Sequence, residues 1–439
     1  MRTRNRRLLQ PNFILHVPLN DIRKKIDAID SQLIQILNEQ ANNPSDHAAF
    51  VESEVRSKLN SISDGRIPED SIFFIYREII SAGLGITNES KLSKLVQLLN
   101  DRADCVHIVG EIKKKEGLQI YAPEREESLL RKLSSMSDGV ISEKSIRAIY
   151  REIMSAALAL EDDLKIAYLG PEGTWTHQAA ISKFGHSVEY LPQANFSDVF
   201  ECVNHGDASY GVVPIENSTE GAVSHTLDLF VDSPLKICAQ ILMRIENGLM
   251  ADIDRDAIKT LYSHPQVFGQ CKNWILENLP HADQVEVSST TKAACIAKEK
   301  AGEGAAAMGG PLAAEMYGLT MLESGVQDNS NNTTRFLVIG EKTCPPTGDD
   351  RTSLLFSVKD EPGSLVKALQ TFEAQSINMS KIESRPSKQR EWEYYFYVDV
   401  SAHAEDVNVV KALEELKKHC SMIKILGSYQ DIKISNTTN

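Results

Sequence analysis

The sequence predicts a multidomain protein built from three architectures: an all-α tandem at the N-terminus, a two-lobed α/β region, and a small α+β module at the C-terminus. Three observations carry this. A 27-residue stretch near the N-terminus recurs 74 residues later, apolar residues there fall at helical spacing, and from Leu164 onward short β-rich runs alternate with helices. A chain of 439 residues is also too long for one core, at roughly 150 residues per domain.

Apolar residues make up 42% and charged residues 25%, values of a soluble globular protein, and no run approaches the roughly 18 apolar residues of a membrane helix. A net charge of −14 argues against nucleic acid or an anionic membrane as partner, since either needs clustered positive potential. Basic density occurs only in Met1 to Arg7, with four arginines. The acid-poor stretch to Val17 reads as a frayed leader before the first helix, with a targeting peptide as the alternative. Seven cysteines are scattered and never spaced as CxxC, which predicts a reducing, cytoplasmic location and neither zinc nor a disulfide framework. The eleven histidines lack HxxxH or cysteine partners and no GxGxxG follows a strand, so no metal or nucleotide cofactor is expected.

The repeat comes first along the chain. Residues 58–84 and 132–158 match at 18 of 27 positions, and upstream Leu33 to Ala41 aligns with Leu95 to Ala103 at an offset of 62. Copy one has therefore lost about twelve residues between its first and second helices. Ile22, Ile26, Ile29, Leu33, Ile36 and Leu37 recur at three and four, a long amphipathic stripe that needs a partner. Two copies in one chain supply it, as a helical pseudo-dimer.

Copy two carries NDRADCVHIVGEIKKKEG, YAPEREESLL and IYREIMSAALALE, and through these it resembles the all-helical chorismate mutase family. Such an enzyme rearranges a dicarboxylate without a nucleophile, so it needs cations that hold the folded conformer and donors at the breaking ether bond. The resemblance implies that Arg102 and Arg125 clamp carboxylates, that Lys113 and Glu161 address the ether oxygen, and that Glu126 holds the substrate hydroxyl. Glu161 must be protonated to donate. The family also uses an arginine near the start of its long helix, donated across the dimer; for copy two this position falls at Gly85, in the linker, whereas in copy one it is Arg23. Copy one in turn has Gln40, Val51 and Thr87 in place of the other groups, and its lysine segment falls in the deletion. One working site per tandem is expected, from Arg23 of copy one and Arg102, Lys113, Arg125, Glu126 and Glu161 of copy two. Ala122 and Ala157 depart from the polar groups of many relatives, which implies weak activity.

From Leu164 the runs KIAYLG, YGVVPI, KICAQI, TLYSH, QVEVS, GAAAMG and RFLVIG read as strands. Their order resembles the two lobes of periplasmic binding proteins, with a ligand cleft between. GPEGTWTHQAA, VPIENSTEGAV, SHPQVFGQC, SSTTKAA and DNSNNTTRFLVIG, in this order from residue 170 to 340, resemble the prephenate dehydratase family. That reaction expels hydroxide as a ring carboxylate leaves as carbon dioxide, so the leaving hydroxyl must be protonated and a dianion held. The resemblance makes Thr334 the proton donor, with Asn217, Ser263 and Gln270 orienting the substrate and Thr174, Ser289, Thr290 and Arg335 binding it. The plainer readings are that Thr334 merely opens a strand and that Asn217 makes an Asx-turn.

TCPPTGDDR, at about 343–351, reads as a linker. Beyond it the predicted order is βαββαβ, the ferredoxin-like arrangement. PGSLVKAL and ESRP resemble the phenylalanine-binding motifs of ACT regulatory domains, which makes Gly363, Ser364, Leu365, Glu383, Ser384, Arg385 and Pro386 the effector-binding candidates. Gly363 would let backbone amides approach the ligand, and Glu383 to Pro386 would complete the pocket; the alternative is a dimerisation module without ligand.

The domain division is thus 17–87 and 88–163 for the helical copies, 164–342 for the dehydratase-like region and 350–434 for the ACT-like module. The resulting expectation is a cytoplasmic homodimer or higher homo-oligomer acting on chorismate and prephenate, with phenylalanine as effector and no cofactor. The alternatives are a monofunctional dehydratase whose tandem only dimerises, and a non-enzymatic amino-acid sensor.

Overall fold

The computed structural model describes residues 18–42, 52–118, 121–137, 139–161, 163–387 and 393–432. The basic leader and Val51 lie outside the described residues. Two compact units result, a helical one reaching to Leu164 that also takes in Phe184–Glu189, and an α/β one made of the rest. Among the described residues no helix is long and apolar enough to cross a membrane.

The helical unit has three helices per copy: α1 (Leu19–Ala41), α2 (Glu52–Ile62) and α3 (Glu69–Ser81), then α4 (Glu89–Glu116), α5 (Pro123–Met136) and α6 (Glu143–Glu161). Local chemistry sets the ends of α4. The side chain of Asn88 accepts from Lys91 N at 3.1 Å, and Gly117 closes the helix at φ 66° after three lysines that suit its negative end. The two copies share one core. Leu33, Ile36 and Leu37 of α1 pack with Leu95, Leu98 and Leu99 of α4, and with Ile75 and Ile149 of α3 and α6. Removing one such Leu or Ile side chain costs about 2–5 kcal/mol, so the tandem folds as one body.

The α/β unit begins with β1 (Lys165–Leu169), α7 (Trp175–Phe184), β2 (Glu189–Gln193), α8 (Phe196–Asn204), β3 (Tyr210–Asn217), β4 (Gly221–Ala222), α9 (Ser224–Asp232) and β5 (Lys236–Arg244). The chain then crosses to a second lobe with β6 (Gly248–Ala251), β7 (Thr260–Ser263), α10 (Pro265–Gln270), α11 (Lys272–Asn278), β8 (Asp283–Glu286), α12 (Thr290–Glu299), β9 (Ala305–Gly309), α13 (Pro311–Tyr317) and β10 (Thr320–Ser324). It returns through β11 (Thr333–Gly340). The sheets run β2-β1-β3-β11-β5, with β4 beside β3, and β10-β6-β9-β7-β8. All seven expected strands are present, and the two-lobed reading holds. The sequence reading missed β2, β4, β6 and β10. β6 is four residues buried on both faces and shows no alternation, whereas β10 is an edge strand.

The C-terminal module is β12 (Asp350–Val358), α14 (Ser364–Ala374), β13 (Met379–Pro386), β14 (Tyr394–Val400), α15 (Val407–His419) and β15 (Cys420–Gln430). Its antiparallel sheet, ordered β13-β14-β12-β15, matches the expected βαββαβ order. The linker marks a change of fold and not a separation in space. Leu355, Tyr395, Tyr397, Leu426 and Tyr429 share a core with Val213, Leu227, Ile237 and Leu337 of the first lobe.

Candidate active sites

In the helical unit all six expected residues line one cavity of about 340 Å³. Arg102 and Lys113 lie on α4 eleven residues apart, three turns, and so on one face. Arg125 and Glu126 stand in the first turn of α5, where both backbone N–H groups donate to Ala122 O at 3.1 Å. Glu161 closes α6, and Arg23 reaches in from α1. A requirement missed from sequence is Gly110: a Cβ there would lie 3.0 Å from Glu161 Cα, so glycine sets how closely α4 and α6 approach.

The electrostatics suit an anionic guest. Lys113 Nζ donates to Glu161 Oε2 at 2.6 Å and Arg102 Nε to Asp30 Oδ1 at 2.9 Å, both pairs buried. Among the described residues Arg23 and Arg125 form no ion pair, and Arg23 Nε is buried without a hydrogen-bond partner. Burial and then the charge of Arg23 lower the Arg125 pKa, so an anion placed between them relieves their repulsion. Burial pushes the Glu161 carboxyl above the usual carboxylate range, against the pull of Lys113, Arg102 and Arg125. Burial thus works toward the protonated form that a proton donor needs, while Lys113 works toward the carboxylate.

At the corresponding place in copy one the described polar groups bond to backbone carbonyls. Gln40, at the position of Arg102, donates through Nε2 to Gly85 O at 2.9 Å, where the helix-start arginine is missing. Near Thr87, whose carbonyl accepts from Lys58 Nζ at 3.2 Å, Tyr76 donates to Ile86 O at 2.6 Å.

In the α/β unit Thr334 on β11 lies directly opposite Asn217 on β3. Asn217 Nδ2 donates to Thr334 Oγ1 at 2.8 Å and to Asn332 Oδ1 at 2.8 Å, while its Oδ1 accepts from Thr219 N at 2.9 Å. The Asx-turn and the contact to Thr334 therefore coexist on one amide. With Oγ1 accepting from Asn217, the hydroxyl proton of Thr334 is available to a leaving group. Gln270, at the end of α10, donates to Glu220 Oε1 at 2.9 Å and accepts from Asn247 at 3.2 Å, which joins the β3–β4 turn of the first lobe to the second lobe.

The other candidates of this region are engaged within the protein. Successive residues on a strand face opposite sides, so the buried guanidinium of Arg335 turns from the Thr334 face toward the C-terminal module. There it donates to Asp399 Oδ2 at 2.6 Å, to Tyr429 Oη at 2.6 Å and to Glu216 Oε1 at 3.0 Å. Ser263 is fully buried and donates to Met308 O at 2.8 Å, tying β7 to β9. Thr174 donates to Leu169 O at 3.0 Å at the start of α7. Ser289 caps α12, accepting from Lys292 N at 3.0 Å, with Thr290 beside it as the first helical residue.

In the C-terminal module Gly363, at φ 80° before α14, lines a cavity of about 600 Å³ with Ser364, Leu365, Glu393, Tyr394 and Phe396. Glu383, Ser384, Arg385 and Pro386 do not line it. They lie on the edge strand β13, pairing with Tyr397 through Tyr394 of β14. Arg385 turns instead to Ser224 Oγ at 2.7 Å and Asp228 Oδ2 at 3.1 Å of α9.

Comparison with known proteins agrees with this arrangement. Residues 93–162 match the family model for chorismate mutase type II, 166–344 that for prephenate dehydratase, and 352–418 that for the ACT domain. A bifunctional chorismate mutase/prephenate dehydratase from Aquifex aeolicus (strain VF5) is 46% identical over 341 residues, 76% of this chain and 94% of that protein. One from Stutzerimonas stutzeri is 39% identical over 353 residues, 79% of this chain and 96% of that protein. The crystal structure of a prephenate dehydratase in complex with L-Phe from Arthrobacter aurescens matches with a TM-score of 0.57 and 34% identity, over 61% of this chain and 90% of that one. A mutase, a dehydratase and an ACT domain in this order define a two-activity enzyme of aromatic amino acid biosynthesis. The chain belongs to the bifunctional chorismate mutase/prephenate dehydratase family. None of the three family models reaches copy one.

Proposed function

We propose that each chain carries one chorismate mutase site shared between its two helical copies, and that the prephenate formed there is dehydrated at Thr334. The observation that carries this is the single cavity holding Arg23 of copy one with Arg102, Lys113, Arg125, Glu126 and Glu161 of copy two. Arg23, Arg102 and Arg125 hold the two carboxylates of chorismate, Lys113 and neutral Glu161 donate to the ether oxygen, and Glu126 holds the hydroxyl. The enzyme thus selects the folded conformer and stabilises charge as the ether bond breaks.

In the dehydratase cleft Thr334 protonates the departing hydroxyl while the ring carboxylate leaves as carbon dioxide. Asn217 supports the oxygen that gives up its proton, and Gln270 orients the substrate. Ser263 enters as a support for α10, and the starts of α7 and α12, at Thr174, Ser289 and Thr290, offer backbone N–H groups to a carboxylate.

Phenylalanine is the proposed effector, held at Gly363 to Leu365, with β13 relaying its binding through Arg385 to α9. The four-part division, 17–87, 88–163, 164–342 and 350–434, a cytoplasmic location and a homo-oligomer complete the reading. The direct test supplies the full chain with chorismate and then prephenate, with and without phenylalanine, and follows phenylpyruvate over time. Chorismate left unconsumed by a protein that turns over prephenate would overturn the shared mutase site.

A further inference from the structure

Asp30 lies on α1 seven residues after Arg23, two helical turns along the same face. It is 0% exposed. Its Oδ1 accepts from Arg102 Nε at 2.9 Å, its backbone carbonyl accepts from Tyr150 Oη at 3.1 Å, and its Oδ2 has no hydrogen-bond partner. A carboxylate on the Nε edge of a guanidinium stops the planar group from rotating and leaves the terminal nitrogens to a second anion. Arg102 lines the cavity beside Arg23 and Arg125. At the offset of 62 that aligns the copies, Arg23 corresponds to Gly85 and Asp30 to Leu92. Both members of this arginine–acid pair therefore belong to copy one alone.

We propose that Asp30 is a positioning residue for the mutase reaction: supplied by copy one, it fixes the guanidinium of Arg102, on copy two, so that its free edge meets a substrate carboxylate. This rests on the shared-site reading above. The competing role is purely structural, a buried anion that neutralises Arg102 and affects only the stability of the helical unit. The two roles separate in kinetics. A fixed guanidinium matters to binding, so its loss raises KM for chorismate with little change in kcat, whereas a structural anion leaves the KM of the folded protein unchanged.

The test uses the full chain as Asp30→Asn, Asp30→Leu, Arg102→Ala and the double variant Asp30→Asn/Arg102→Ala. Chorismate kinetics, prephenate turnover and the helical circular-dichroism signal are measured on each. Asp30→Asn, which keeps an acceptor for Nε, should raise KM for chorismate by at least about fivefold, and Asp30→Leu by more, with prephenate turnover at the wild-type level. In the Arg102→Ala background, Asp30→Asn should add less than about twofold, because its target is gone. A wild-type KM in Asp30→Asn beside a damaged Arg102→Ala would overturn the positioning role alone. Losses that multiply in the double variant would show that Asp30 acts independently of Arg102 and overturn it too. A silent Arg102→Ala would sink the shared-site reading and this inference with it. Should Asp30→Leu fail to fold, Asp30→Asn and the double variant still decide.

Discussion

Copy one and copy two build the same three helices from related sequence, yet their buried polar groups have different destinations. In copy two Arg102, Lys113 and Glu161 are buried around a cavity and bonded to acids or to each other, with Arg125 at the rim of the same space. In copy one the position of Arg102 is Gln40, an uncharged residue whose amide donates to the carbonyl of Gly85. The chemistry copy one keeps lies on α1, in Arg23 and Asp30. Copy two has lost those same two positions, to Gly85 and Leu92. A symmetric dimer needs every site residue in every copy, whereas a covalent tandem lets each copy keep half of one site. The pseudo-dimer core holds both halves in register.

The sharpest way to break this comparison is Arg102→Ala. It removes a cation from the substrate and leaves Asp30 as an unpaired buried anion, a defect worth about 3–5 kcal/mol. Chorismate turnover should fall by at least about 100-fold while prephenate turnover stays near wild type. Loss of both activities would mean that the damage is to folding. Arg23→Ala is the next largest, since losing a charged contact to a carboxylate costs about 1.5–3 kcal/mol, or at least about tenfold in chorismate turnover. Unchanged turnover in that variant would mean that copy one is only a cover for copy two.

A subtler effect comes from Glu161. Its folded-state pKa is raised by burial, and only the protonated carboxyl can donate to an ether oxygen. The active form therefore dominates below the folded pKa and is lost as pH rises through it. Chorismate turnover should decline toward alkaline pH, and Glu161→Gln, which donates at any pH, should flatten that limb. A profile with the same alkaline decline in Glu161→Gln would assign the titration to another group.

Much of this was legible in the sequence because the signals were periodic. The stripe through Ile22, Ile26, Leu33 and Leu37 marks α1, and the constant offsets of 74 and 62 set Arg23 against the groups of copy two. Single-residue alternation was harder to use. Thr334 and Arg335 are adjacent in one motif, yet a strand sends them to opposite faces, and the motif alone does not show that the arginine donates to Asp399 and Tyr429. Arg385 likewise lies on an edge strand and turns to Asp228, a partner its motif does not encode. Asp30 and Gly110 gave no signal at all. One acts through a pairing 72 residues away in sequence and the other through a helix-crossing distance, neither of which a linear pattern encodes.

The smallest expected effect is also the one that most refines the comparison. Gln40 is 6% exposed and donates one neutral hydrogen bond to Gly85. In Gln40→Ala that carbonyl loses its side-chain donor, which costs about 0.5–1.5 kcal/mol of stability and lowers the melting midpoint of the helical unit by a few degrees, at roughly 2–4 °C per kcal/mol. Chorismate turnover should stay within about twofold of wild type, because nothing at this position faces the cavity. A tenfold loss would mean that the copy-one position binds substrate after all, and the two copies would then be two sites. Gln40→Arg presses the same point from the other side. It restores the missing clamp to copy one, but Gly85 supplies no partner arginine and Leu92 supplies no acid to hold the new guanidinium. A second site therefore should not appear, and the number of chorismate-analogue molecules bound per chain, read by titration calorimetry, should remain one. Two bound per chain would show that a single clamp suffices, and that what separates the copies is one residue, not a division of the site between them.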